Sequence, residues 1–572
     1  MAASPALAET SADSLSFSLE DVTSDAGIVH RHVPLTVNDS IAHVDKFITG
    51  LGGAAVAVFD YNNDGLQDIY LTTMAIGELN RLFENQGDGT FRDVAADVGL
   101  ADVNRDAGSL RPIFFDFDND GDRDLVLTTT FCPRVFRNDS GRFVDITSSS
   151  GITHCGFASA SNTFDFDKDG DQDLVIADFF RSVDLRDPSS HNIMPNAWFS
   201  ATNGGPINVY RNNGDATFTR VSDNLGLDAK EWRGWVHAIG AYDIQGRGGA
   251  DLYFAVDFNL QDRLFYDTGA GAMQDVSSQL EQKYSHSSMS SEIADFRNID
   301  LPSIFVSHIY APGWVPARNI LWDIRKQGAF HDAGAETGVA TCGWAWGAKF
   351  GDLDNDGWQD LVVANGYFSG DPTRDYWYQT ALLQGGHTAL AEDARRWPPL
   401  EGRSMASNQR SCVFANRSGR FVNVTEKTGM FEDLLDGRGL ATIDLLGDGS
   451  LSLVVANFDQ PARLFRNRQQ NDNHWIGFSL VGTRSGTDAF GAKVTLRLDG
   501  DVGMKLMTRE LRPLNGYVSQ SDPRLHFGLG KDAKIRSITV RWPSGLEQEL
   551  QGLALDRYHE IHEPSAAGMA AN

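Results

Sequence analysis

The sequence contains no run of eighteen apolar residues, so no segment reads as a membrane-spanning helix. Cysteine is scarce. The four present, Cys132, Cys155, Cys342 and Cys412, show no CxxC spacing, which excludes the usual zinc arrangements. They permit two disulfides, but buried free thiols are the preferred reading, because cysteine is among the residues most often buried. The redox compartment stays open. Base is short relative to acid, 49 Lys+Arg against 77 Asp+Glu, for a formal net charge of −28. That balance argues against nucleic acid as a partner, since phosphate binding needs clustered lysine and arginine. No nucleophile elbow, phosphate-binding glycine loop, zinc helix or dinucleotide fingerprint occurs. The opening MAASPALAETSADSLS has neither a basic region nor an apolar stretch and is not a signal peptide as it stands. An extracellular or periplasmic chain after signal removal fits, and so does a cytoplasmic one.

What is present points to a repeat. At 572 residues the chain is too long for one ordinary core, and 41% hydrophobic residues suffice to bury several. The acid is clustered in nine-residue loops. DYNNDGLQD offers Asp60, Asn62, Asp64 and Asp68, and DFDNDGDRD offers Asp116, Asp118, Asp120 and Asp124. DFDKDGDQD offers Asp165, Asp167, Asp169 and Asp173, and DLDNDGWQD offers Asp352, Asp354, Asp356 and Asp360. A weaker fifth copy, DLLGDGSLS, keeps Asp444 and Asp448. Oxygens at positions 1, 3, 5 and 9 around a glycine at position 6 suit Ca²⁺. Position 12 is Leu71, Leu127, Ile176 or Val363, never glutamate, so this is not an EF-hand. Carboxylates this crowded repel one another unless a cation neutralises them. Four structural calcium sites are expected, with a fifth possible. Two further copies lose the acids. One retains Asp243 and Asp251 but carries Arg247 at a ligand position, and the other retains Asp295 beside Arg297. A guanidinium is expected to replace the ion there.

A second phrase follows the loops, as in RLFENQGDGTFRDV and RVFRNDSGRFVDI, and reads as strand, turn, strand. Four strands per unit and seven units between about residues 17 and 468 predict an all-β, seven-bladed β-propeller with calcium-binding DxDxDG loops. FSLEDVTSDAGI matches an outer strand and is expected to complete the last blade. The domains are a flexible tail (1–16), the propeller (17–470), a small β-rich domain (471–563) and a second tail (564–572).

The strand before each acidic loop should be innermost. Six residues back from the first loop aspartate stand Ala54, Leu110, Ser159, His237, Met289, Trp346 and Arg438; eight back stand Gly52, Gly108, Phe157, Trp235, Ser287, Trp344 and Asp436. Units four, six and seven thereby bring together aromatic and ionisable side chains, which resembles a small-molecule pocket. In it His237 is the candidate acid or base, Asp436 its orienting group and Arg438 an anion holder. Trp235, Trp344, Trp346, Arg233 and Met289 are the candidate lining. The alternative, that these side chains fill the tunnel, stays open. Insertions at 179–206 and 367–411 should emerge on one rim, where a lid is the functional reading. His154, His286 and His308 could join a site or bind a second metal. Sequons at Asn38, Asn138 and Asn416 matter only in a eukaryotic secretory setting.

The loops resemble the FG-GAP/VCBS propeller family. The segments NHWIGFSLVGTRSGTDAFGAKVTLRL and LNGYVSQSDPRLHFGLGKDAKIRSITVRWPSGLEQEL resemble the ASPIC/UnbV module. The pairing is similar to the cartilage acidic protein family and its bacterial relatives, some of which sit in natural-product gene clusters. SGTDAFGAKV departs from the family pattern, which has Asn-Arg and Gly-Ile before the Gly-Ala. The resemblance implies a calcium-loaded binding or matrix protein that takes a small molecule, glycan or protein at one propeller face. The alternative it implies is a calcium-dependent biosynthetic enzyme, catalysing cyclisation or C–C bond formation, less readily a polysaccharide lyase.

Overall fold

The computed structural model describes residues 15–565, apart from positions 182, 199, 223–224, 228–233, 259–260, 283–286, 314, 316, 326–328, 385–391, 408, 431–433, 501–502, 513, 515 and 533. Each sequence repeat folds as a four-stranded antiparallel sheet, and seven such sheets succeed one another among the described residues. Their first strands are Val56–Phe59, Ser109–Phe115, Ala160–Phe164, Trp235–Tyr242, Ser288–Ala294, Ala345–Gly351 and Gly437–Asp444. In sheet 2 the order is Ser109–Phe115, Asp124–Thr129, Arg134–Asn138, Phe143–Asp145, and the acidic loop joins the first strand to the second. The outer strand of sheet 7 is Phe17–Asp21, which pairs with Arg463–Gln469, as the sequence pattern predicts.

Consecutive first strands lie against one another, and that of sheet 7 returns to that of sheet 1. The sheets pack face to face, so both faces of the inner strands are covered and their sequences lose the polar alternation of a half-exposed strand. Separate apolar cores fill the gaps. Ile69, Val58 and Ile443 share the core between sheets 1 and 7, while Val175 and Phe254 share that between sheets 3 and 4. The arrangement is all-β and of propeller type.

A buried asparagine rivets neighbouring sheets. Asn138 donates through Nδ2 to the carbonyl of Tyr61 in the preceding loop (3.0 Å) and to that of Arg123 in its own (3.1 Å). Asn212 bonds Phe117, Asn416 bonds Phe296 and Asn467 bonds Leu353 in the same way. Asn85 of sheet 1 reaches Leu445 of sheet 7 at 3.1 Å. These asparagines satisfy buried carbonyls that no strand ladder reaches.

The cysteines correct the sequence reading. Cys132 pairs with Cys155 and Cys342 with Cys412, and no free thiol remains. Cys412 opens the third strand of sheet 6 and Cys342 precedes its first, so folding one sheet brings together residues 70 positions apart.

The C-terminal segment forms two sheets over one apolar core, with His474–Val481 and Lys493–Gly500 at their centres. It also sends a finger into the axis of the seven sheets. Ser519–Gln520 pairs in parallel with Val56–Ala57, Gly516 N–H donates to Ser291, and Asn162 donates to Leu514. Tyr517 and Val518 lie in the axial core itself. The stretch counted in the small C-terminal domain therefore packs among the first strands of the seven sheets.

Candidate functional site

The acidic loops share one turn. The position-1 aspartate accepts the N–H groups of positions 5 and 6: Asp116 from Asp120 (3.1 Å) and Gly121 (2.8 Å), Asp352 from Asp356 (3.1 Å) and Gly357 (2.7 Å). Position 6 has φ between +81° and +99° at Gly65, Gly121, Gly170, Gly357 and Gly449, a left-handed turn that glycine adopts without cost. The position-9 aspartate ties the loop to its sheet. Asp124 accepts from Phe117 (3.0 Å) and Asn138 (2.8 Å), and Asp173 from Phe166 (3.0 Å) and Asn212 (2.8 Å).

Three loops gather carboxylates: Asp116, Asp118 and Asp124; Asp165, Asp167 and Asp173; Asp352, Asp354 and Asp356, each with oxygens within 4.8 Å of one another. In each group one buried oxygen meets no donor, namely Asp118 Oδ1, Asp165 Oδ1 and Asp354 Oδ1. Burial, reinforced by the neighbouring carboxylates, pushes Asp124 and Asp173 up to about 9 and Asp352 and Asp360 well above the carboxylate range. An oxygen-rich group with an unmatched acceptor fits a hard divalent cation. In the first loop Asn62 Nδ2 donates to Asp64 (3.1 Å), and Asp68 is pushed up to about 8 by burial. Asp120, Asp169 and Asp448 occupy position 5 of their loops. Neither the first nor the seventh loop brings three carboxylates into such a group among the described residues.

The acid-poor loops correct a second expectation. Arg297 pairs with Asp323, away from Asp295. At Asp243 the cation comes from the C-terminal module: Lys493 Nζ lies 3.0 Å from Asp243 Oδ2 and 3.6 Å from Glu510. The Arg509 charge bears on Asp295, and that of Arg524 on Asp444. The module seats on the acidic loops elsewhere too, with Asp116 N–H donating to Asp488 (2.7 Å) and the Thr487 hydroxyl bonding the Asp116 carboxylate. No local signal links residue 493 to residue 243, so the sequence pattern missed this replacement.

The axial residues are brought together as counted back from the loops, but as a packed core. The ladders slip between Ser109 and Pro112, Val236 and Ala238, Ser288 and Ser290, Ala345 and Ala348, and Gly437 and Leu440. Each bulge takes Leu110, His237, Met289, Trp346 or Arg438 out of the ladder. His237 is wholly buried between Phe179 (4.3 Å), Trp346 (5.6 Å) and Tyr517 (5.8 Å). The carboxylate facing it is Asp257 at 3.4 Å; Asp436 is held instead by Gln460 (3.4 Å), and burial raises it to about 6. Arg438 stacks on Trp346 (4.2 Å) and donates to the carbonyls of Gly50 (3.1 Å), Gly366 (3.1 Å) and Tyr367 (2.5 Å). Its donors are thus spent on backbone, not offered to an anion. Trp344 stacks on Tyr367 (4.2 Å), Trp235 packs on Phe179 (5.0 Å), and Met289 is buried in the same core. Arg233 and His286 lie outside the described residues. His154 pairs with Asp178 (2.7 Å), and His308 with Ser288 (2.9 Å) in the core. Arg111, beside Leu110 in the sheet 2 bulge, was not singled out; it is wholly buried, with three guanidinium nitrogens unpartnered.

The two insertions meet over this core. Ala394 N–H donates to His191 (2.8 Å) and Met194 N–H to Glu392 (3.2 Å), while Phe180, Met194, Tyr376 and Trp397 pack into the axial cluster. They form a cap on the rim opposite the acidic loops.

Residues 60–127 match the FG-GAP-like repeat model, and residues 482–568 match that of ASPIC and UnbV. On the sheets just described, the chain thus carries an FG-GAP-like repeat and, at its C-terminal end, an ASPIC and UnbV match. It is similar to cartilage acidic protein 1. It is 30% identical to the human protein over 257 residues, covering 40% of this chain and 37% of that one. It is 29% identical to the mouse protein over 257 residues, covering 40% and 38%. The Xenopus tropicalis protein matches at 36% over 118 residues, 19% of this chain and 17% of that one. The matched segments span less than two fifths of these relatives. A solved Agrocybe aegerita lectin, described as recognising non-reducing terminal N-acetylglucosamine, aligns at 16% identity and TM-score 0.37, covering 66% of this chain and 83% of that one. That score is too low to carry an argument.

Proposed function

We propose that this chain is a calcium-stabilised, seven-bladed propeller that serves as an extracellular binding protein, taking a glycan, protein or small-molecule partner at one rim. The observation that carries it is the trio of loops in which three carboxylates converge around a buried, unmatched oxygen. Loops two, three and six are the calcium sites the geometry supports best; the first keeps the same turn with Asp60, Asn62, Asp64 and Asp68. The Asn85 to Leu445 bond supports a closed ring. Two disulfides and the likeness to cartilage acidic protein 1 support an extracellular setting.

The packing of the axis favours binding over catalysis. A general acid or base must come within hydrogen-bond reach of its substrate, and His237 is sealed between Phe179, Trp346 and Tyr517. The cap offers a surface instead, on which Tyr378 is 60% exposed and Leu382 56%. The test is metal content. Dialysed full-length protein should retain at least three calcium ions per chain by elemental analysis, and Asp118→Asn should remove one. Protein that folds normally and holds no calcium at millimolar supply would contradict the reading.

A further inference from the structure

Position 4 of an acidic loop lies between two expected ligands, and its backbone is left-handed. The angle φ is +58° at Asn63, +56° at Asn119, +62° at Lys168, +53° at Asn298 and +55° at Asn355. Asparagine tolerates this conformation better than most residues. At four of these positions the side chain leaves its own loop and reaches the next. Asn63 Nδ2 donates to Asp122 (2.7 Å) and to the Gly121 carbonyl (3.2 Å), both of loop two. Asn119 Nδ2 donates to Asp171 of loop three (2.7 Å). Asn298 reaches the Gly357 carbonyl (2.8 Å) and Asn355 that of Gly449 (3.2 Å). In loops four and seven the position is Gly246 and Gly447, at φ +67° and +66°, with no side chain to cross.

The link from loop two to loop three joins two loops that each gather three carboxylates and leave one buried oxygen unmatched. Asn119 stands between Asp118 and Asp120, so a cation that closes loop two fixes the backbone from which it projects. Its amide is oriented as well, because Oδ1 accepts the Thr487 N–H (3.0 Å) while Nδ2 faces a carboxylate. Beyond it the Asp171 N–H donates to Asp169 Oδ1 (2.9 Å), and Asp169 is the position-5 carboxylate of loop three. Asp120, Asn119, Asp171 and Asp169 thus run in series from one group of carboxylates into the next. Bonds to a carboxylate are stronger than neutral ones, which suits them to carry coupling. Two divalent ions repel each other, so unlinked sites would show no positive coupling. We propose that Asn119 is a positioning residue that couples the calcium sites of loops two and three, so that an ion in either raises the affinity of the other. It rests on the reading of these two loops as calcium sites.

Calorimetric calcium titration of the chelator-stripped full chain tests it, in a background of Asp64→Asn and Asp354→Asn that silences loops one and six. Adding Asp118→Asn leaves loop three alone, and adding Asp167→Asn leaves loop two alone. The product of the two association constants measured together should exceed the product of those measured singly by about fivefold. That is the lower end of usual coupling, because the Asn119 bond is exposed. In Asn119→Gly and in Asp171→Ala the ratio should fall to one or below, with both ions still bound. Gly246 and Gly447 show that the turn accepts glycine. Should Asn119→Gly nonetheless fail to fold, Asp171→Ala decides, since it removes the acceptor and leaves Asn119 in place. A ratio of one with Asn119 present would overturn the coupling and leave the calcium reading standing, as would a ratio unchanged in both variants. Failure of either loop to take up calcium would overturn that reading and the coupling with it.

Discussion

The Tyr517 hydroxyl donates to the carbonyl of Leu51 at 2.9 Å, across 466 positions of sequence. Tyr517 comes from the C-terminal module and Leu51 from the approach to the first sheet, so the bond joins both ends of the fold at the axis. Around it the finger reaches sheet 1 through Val518, sheet 2 through Gln520 and sheet 7 through Ser521. The module thus contributes to the core between the first strands of the sheets as well as packing beside them. Tyr517→Phe should cost about 1–3 kcal/mol, because a buried carbonyl loses its donor. Tyr517→Ala should cost about 3–5 kcal/mol, because an aromatic leaves a cavity. Urea unfolding of the two variants checks the order; equal and small losses would show that the finger is dispensable.

The asparagine rivets make a second prediction. Asn138→Ala strands the carbonyls of Tyr61 and Arg123 and should destabilise by about 2–4 kcal/mol. The same burial bears on glycosylation. Asn138 and Asn416 are wholly buried, and Asn38 spends Nδ2 on Leu185, Asp187 and Ser190. Mass spectrometry of protein secreted from a eukaryotic host should find all three largely unmodified. High occupancy at Asn138 in folded protein would contradict the bond pattern.

Lys493 and Asp243 set a pH window. Burial opposes ionisation of both, but Lys493 holds Asp243 below the usual carboxylate range, and Glu510 with Asp243 holds Lys493 above the usual lysine range. The depressed aspartate contributes stability above its unfolded pKa, which is lost as pH falls through the folded one. The raised lysine contributes stability below its unfolded pKa, which is lost as pH rises through the folded one. The pair therefore stabilises the fold across neutral pH and fails at both extremes. Lys493→Met should cost about 3–5 kcal/mol at pH 7, since it leaves Asp243 buried without its cation. Asp243→Asn in the same chain should recover part of that, and a double variant no better than the single one would refute the pairing.

Thiol titration of the denatured, unreduced protein should find no free cysteine, with both disulfides closed. Breaking Cys342–Cys412 by Cys→Ser at both positions should cost about 4 kcal/mol, as expected for the loop of roughly seventy residues that it closes.

The repeats were legible because their signals are local. The acidic loop, its glycine and the flanking strands recur within one window, and counting back from the loop found His237, Met289, Trp346 and Arg438 on their bulges. What those residues do was not legible, because it depends on what faces them. Asp257, Phe179 and Tyr517 surround His237 from three distant segments, and a period of two says nothing of partners across a ring. The same limit hid the replacement of the ion at Asp243 by Lys493. The cysteines misled for a related reason: burial is a sound prior for one cysteine, but pairing is decided by which ends the strands bring together.

The central claim is that the acidic loops hold calcium and that calcium holds the fold. Thermal unfolding of the full chain with excess calcium, and after chelation with removal verified by elemental analysis, tests it most directly. At free calcium a hundredfold above Kd each site adds about 2.7 kcal/mol, so three sites should lower the melting temperature by several degrees or more on removal, with recovery on calcium addition. A melting curve unchanged by verified removal would contradict the account.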